Sequence, residues 1–129
     1  MGKFLLRYMP VILWMILMFS FSARSDLPVN GTVAEDFFSK KFAHVLEYIL
    51  LMLLMYRAVG IKNPAKAFLF SIIFAFTDEI HQLFVPFRAG KLWDVGIDSI
   101  GLVISTLIII KHQLWNSSLL VAPLKKLKQ

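Results

Sequence analysis

Four apolar runs, each long enough to cross a hydrocarbon core of about 30 Å, take up most of this chain: Phe4–Phe21, Phe42–Val59, Ala65–Val85 and Leu92–Ile110. Of the 129 residues, 58% are apolar and 17% charged, whereas soluble domains run nearer 45–50% apolar and about 25% charged. A body this small has a high surface-to-volume ratio and needs more polar covering, not less, so a water-soluble globule is excluded. The expectation is an all-α polytopic membrane protein. Residues 1–112 would form a four-transmembrane-helix bundle and residues 113–129 a basic tail. The first run also has the outline of a secretory signal peptide, with Lys3 and Arg7 ahead of Val11–Phe19. It is long for one, and Ser20-Phe21-Ser22 lacks the A-x-A pattern of a cleavage site.

The net charge of +6 would point a soluble protein toward nucleic acid. Here the basic residues sit between apolar runs, where they set orientation. With the N-terminus inside, Lys3, Arg7, Arg57, Lys62, Lys66, Lys111, Lys125, Lys126 and Lys128 are cytoplasmic, against Arg24, Lys40, Lys41, Arg88 and Lys91 outside. All eight acidic residues (Asp26, Glu35, Asp36, Glu47, Asp78, Glu79, Asp94 and Asp98) fall in outer loops or the outer half of a span. Both termini are therefore expected in the cytoplasm, and nucleic acid is not an expected partner. Gly60–Pro64 reads as a tight turn and Pro86–Lys91 as a short link. The tail mixes Trp115, Leu119 and Leu120 with Lys125, Lys126 and Lys128, which suits an anionic cytoplasmic leaflet. There is no cysteine, so disulfides and thiolate chemistry are excluded.

An ionisable side chain at mid-membrane costs roughly 2.5–3.5 kcal/mol on insertion scales, so those inside the runs need a reason to be there. His44, Glu47 and Tyr48 are spaced i, i+3, i+4 and share one helical face. Asp78, His81 and Gln82 share another, with Glu79 turned about 100° away. Asp94 and Asp98 continue along one stripe to Gly101 and Ser105. Alternating directions of travel bring all three sets to one layer, with Asp98 about 9 Å below the start of its span. Favourable placement at a helix N-terminus explains Glu47 and Asp94 without any site. It does not explain Asp78, which lies near a helix C-terminus and needs a partner; Arg88, ten residues on, is the expected one. Arg24, Arg88 and Lys91 lie just above the layer as counter-charges. Gly101-x-x-x-Ser105 has small-xxx-small spacing, weak as a dimer motif but suited to a packing face.

Two histidines and several carboxylates in one layer can ligate a divalent metal or form an acid–base pair for hydrolysis or group transfer. His44, Glu47, Asp78, His81 and Asp98 are the candidates for such chemistry; no metal is assigned and no cofactor is expected. H-E-x-x-H, a P-loop, G-x-S-x-G and the dinucleotide fingerprint are all absent from the sequence. The inner halves of the runs lack acidic groups, so no proton relay crosses the membrane. A one-sided polar pocket fits better.

At these residues the chain resembles the VanZ-like membrane proteins. The pattern begins at Ser22-Ala23-Arg24-Ser25-Asp26-Leu27-Pro28 and continues with Lys41, His44 and Tyr48. Its longest part is D-E-x-H-Q-x-x-x-P-x-R, here Asp78, Glu79, His81, Gln82, Pro86 and Arg88. It closes with Asp94, Asp98 and Gly101, where Ser105 replaces a second glycine. The resemblance covers about residues 22–105. It implies a small multi-pass protein of the bacterial plasma membrane, in a family named for a member linked to teicoplanin-type glycopeptide resistance. Arg24, His44, Tyr48, Asp78, Glu79, His81, Gln82, Arg88, Asp94 and Asp98 would then line a pocket for a lipid headgroup, a lipid-linked cell-wall precursor or the antibiotic. The alternative is a membrane-embedded hydrolase or transferase acting on a lipid-linked substrate. A carboxylate–histidine contact would favour that alternative; carboxylate–arginine pairs alone would favour binding.

Overall fold

The structure, a computed structural model, describes residues 2–23, 33–86 and 91–114. Four helices account for nearly all of them: α1 (Gly2–Ser22), α2 (Val33–Met55), α3 (Pro64–Gln82) and α4 (Leu92–Lys111). No strand occurs among the described residues. Three segments are long and apolar enough to cross a membrane: Phe4–Ser22, Phe38–Val59 and Trp93–Lys111. The third expected span, α3, falls short of that standard, because Lys66, Asp78 and Glu79 dilute its 19 residues. Of the expected basic tail, only Gln113 and Leu114 belong to the described residues.

Helix boundaries follow local chemistry. Beyond α2 the chain widens into a π-helical turn, Tyr56–Gly60. Lys62 then takes a left-handed conformation (φ 71°), which forms the tight turn expected between Gly60 and Pro64. Asn63 caps α3, its Oδ1 accepting the Lys66 N–H at 3.2 Å, and Pro64 occupies the first turn, where its missing N–H costs nothing. At its other end α3 stops at Gln82 rather than running to Val85. The Leu83 N–H is shared between the carbonyls of Glu79 and Ile80, a tightening that ends the helix ahead of Pro86.

Side-chain bonds fix the directions. Trp14 Nε1 donates to the Glu47 carbonyl at 3.1 Å and Arg7 Nε to the Ala58 carbonyl at 2.6 Å, so α1 runs antiparallel to α2. Successive meetings of Lys41 with Asp94, His44 with Asp98 and Ile49 with Ser105 make α2 and α4 parallel neighbours. They are also the most closely packed pair, while α1 is the least engaged helix. The core gathers around α2, where Tyr48, Leu51 and Met52 are buried with Tyr56 of the π-helical turn, Phe74 of α3 and Leu102 and Ile109 of α4. Outward-facing residues such as Leu13, Ile16, Leu69, Ile73 and Leu107 are exposed. That is the pattern of a bundle whose surrounding solvent is hydrocarbon.

The small-residue pair of α4 makes its closest approach within the chain, not across a dimer. A Cβ on Gly101 would stand 2.5 Å from the Val45 carbonyl oxygen, and the buried Ser105 hydroxyl donates to the Ile49 carbonyl at 3.2 Å. Ser105→Ala keeps the small volume and loses one bond to a carbonyl already engaged in its helix. It should cost about 0.6 kcal/mol, measured as the shift in unfolding of the detergent-solubilised protein. A loss of several kcal/mol would mean that the hydroxyl, not the close approach, holds the pair.

Candidate functional site

The alternation of directions places the C-terminal ends of α1 and α3 beside the N-terminal ends of α2 and α4. Every described residue singled out from the sequence as a site candidate lies at this end. Arg24 and Arg88 lie outside the described residues.

On α3, adjacent carboxylates face different neighbours. Asp78 is buried and turned toward α1. Its Oδ2 accepts the Ser22 hydroxyl at 2.8 Å and the Gln82 amide at 2.9 Å. The described partners of this expected ion-pair member are therefore neutral. Its Oδ1 is also buried and has no hydrogen-bond partner among the described residues. Glu79 points the other way, as its 100° offset requires, yet it is buried too. It reaches the start of α4, where its Oε2 accepts the Lys91 backbone N–H at 2.9 Å. That N–H belongs to the residue just before α4 and has no intrahelical acceptor. Glu79 thus ties the α3–α4 link to α3.

The α2–α4 seam supplies the other polar contacts. Lys41 Nζ lies 2.6 Å from Asp94 Oδ1, in the first turn of α4, where a carboxylate also meets the positive end of the helix dipole. One turn deeper, His44 Nδ1 stands 3.3 Å from Oδ1 of the buried Asp98. Below these, the Tyr48 phenol is fully buried, and its hydroxyl has no hydrogen-bond partner among the described residues. Glu47 is half-buried, and its backbone carbonyl takes the Trp14 bond. His81 is half-buried and stacks on Phe19 of α1, ring centroids 4.7 Å apart and planes at 24°.

Besides Glu47, the polar layer contains four carboxylates on α3 and α4: the buried Asp78, Glu79 and Asp98 and the half-buried Asp94. Each has a different partner type: a hydroxyl and an amide, a backbone N–H, an ammonium, and an imidazole. No group of three His, Asp or Glu side chains gathers to hold a metal ion among the described residues. The chemistry present is an imidazole–carboxylate contact and several fixed hydrogen-bond acceptors. The sequence-based site omitted Phe19, Ser22 and Lys41, of which Ser22 and Lys41 stood in the family pattern. The place of Ser22 in the quoted Ser/Asp/Pro stretch was the available signal for it; Phe19 carried none.

A family model described as VanZ/LLP1 matches residues 5–116. No curated protein and no solved structure matches the chain.

Proposed function

This chain belongs to the VanZ/LLP1 family, and on that premise we propose that its polar end binds an envelope ligand at the outer face of the bacterial plasma membrane. The ligand is a lipid headgroup, a lipid-linked cell-wall precursor or a glycopeptide of the teicoplanin type. In this reading α3 is the fourth span and both termini are cytoplasmic. Arg24 and Arg88 hold a phosphate or carboxylate of the ligand. The observation that carries it is the meeting of four helix ends on a set of carboxylates, three of them buried, whose partners include neutral groups as well as a lysine. A purely structural ion-pair layer would have less use for that mixture.

Depth supports the same reading. Phe84 and Trp93 are 81% and 80% exposed at this end of the bundle, the placement of an interfacial aromatic belt. Asp98 is five residues beyond Trp93, or about 7.5 Å deeper along the helix. A headgroup just below the interface reaches that level. Deleting the gene should raise teicoplanin susceptibility, and variants at Asp78, His81 and Asp98 that still reach the membrane should fail to restore resistance. No change on deletion would remove the resistance role.

The His44–Asp98 contact favours a second reading, a hydrolase or transferase acting on a lipid-linked substrate. In that reading Nδ1 faces the Asp98 carboxylate at 3.3 Å and the other ring nitrogen serves as the general base. His44→Gln keeps a donor toward Asp98 but has no basic nitrogen. If the protein is a base catalyst, this variant should fold normally and lose the phenotype entirely; retained phenotype supports binding alone.

A further inference from the structure

We propose that the groove between α1 and α3 seats one hydrocarbon chain of a membrane lipid, so that the polar end takes its ligand sideways out of the bilayer as an amphiphile. This deepens the headgroup reading and rests on it. The groove has a volume of about 400 Å³ and is lined by Met15, Ile16, Phe19 and Ser20 of α1 with Phe74 and His81 of α3. That size lies within the roughly 300–1,000 Å³ of ligand pockets. Its wall is almost all hydrocarbon, and Met15 can adapt to an irregular chain. It runs along Phe4–Ser22, a segment apolar enough to cross a membrane and largely exposed, so acyl chains are what it meets.

Two further observations separate a seated lipid from general solvation. The groove ends on His81, whose Nδ1 is buried with no hydrogen-bond partner among the described residues. One turn back on the same face, Asp78 Oδ1 is in the same condition. Buried polar atoms are normally satisfied, and hydrocarbon alone would leave both wanting. A head attached to the seated chain satisfies them if it carries donor protons, on a hydroxyl or an ammonium. α1, the least engaged helix, forms one wall of the groove.

The test is native mass spectrometry of the full chain in detergent, titrated with palmitoyl-oleoyl phosphatidylglycerol (a hydroxyl head) or phosphatidylethanolamine (an ammonium head). One lipid should be retained, and the single-chain lyso form should bind as well. Ser20 is exposed and its hydroxyl turns back to the Ile16 carbonyl at 2.8 Å, so filling the groove there leaves the core intact. Ser20→Phe should weaken binding at least tenfold and Ser20→Leu by less. Asp78→Asn combined with His81→Gln should also weaken it, more for the preferred head. If both Ser20 variants bind like the wild type while the polar double variant does not, the groove assignment falls and the headgroup reading stands. If the Ser20 variants lose lipid while the polar double variant keeps it, the head assignment falls, and the headgroup reading with it. Wild-type protein that retains neither lipid overturns the proposal.

Discussion

Gly101→Ala should destabilise the detergent-solubilised protein by roughly 3 kcal/mol, and Gly101→Leu should prevent α2 and α4 from docking at all. The added Cβ would stand 2.5 Å from the Val45 carbonyl oxygen, 3.1 Å from Tyr48 Cβ and 3.3 Å from the Ile49 nitrogen. Two of those three atoms are backbone inside a helix, so no side-chain rotation makes room. The helices must separate. Separation would pull His44 from Asp98, one turn away on the same seam, so any function of the site is lost along with stability. Thermal unfolding in detergent gives the first effect and membrane-localised complementation the second. A loss for Gly101→Ala no larger than that for Ser105→Ala would mean that the contact relaxes at little cost.

Asp78→Leu is the second substitution with a large expected effect, also roughly 3 kcal/mol, because it strands two donors in a buried site. Ser22 and Gln82 both bond to the same oxygen, Oδ2, and leucine accepts from neither. α1 is the helix most affected, since Ser22 hydrogen-bonds it to α3 at this end, beside the Phe19–His81 stack. Asp78→Asn keeps an acceptor of the same shape and should cost less than half as much. That contrast is diagnostic. A carboxylate serving mainly to neutralise a cation would lose as much to asparagine as to leucine. Converting Ser22 and Gln82 to apolar residues in the Asp78→Leu background should restore much of the stability, because a dry layer without stranded donors is not costly.

The bundle was legible because hydrocarbon-crossing length and composition leave few alternatives. The expected spans overlap all four helices, and the turn at Gly60–Pro64 lies where its residues placed it. The polar end was legible too, since alternating directions bring residues 44–48, 78–82 and 94–98 together before any contact is known. Partners were not. A helical wheel says that Glu79 and Asp78 face different ways, but not what stands on either side. The wheel turns Glu79 about 100° from Asp78, and α4 begins against it there and buries it. Asp78 invited a cation, and its described bonds go to Ser22 and Gln82. Hydroxyls and amides leave no mark in a count of charges. The shortfall of α3 as an apolar span has the same origin: the carboxylates that dilute it are those the bundle encloses.

The parallel pairing of α2 with α4 also dictates an order of assembly. Ser105 and the carbonyl it meets are 56 residues apart, with all of α3 between them. During synthesis α2 must therefore form with His44 and Tyr48 before Asp98 exists to meet them. Parallel neighbours cannot form a simple hairpin, so the seam closes only after α3 has turned the chain back and α4 has followed. The polar end is thus the last part of the molecule to be completed. A chain truncated before α4 should insert but expose that unfinished layer to membrane quality control, and rapid degradation of such a truncation relative to the full chain is the expected signature.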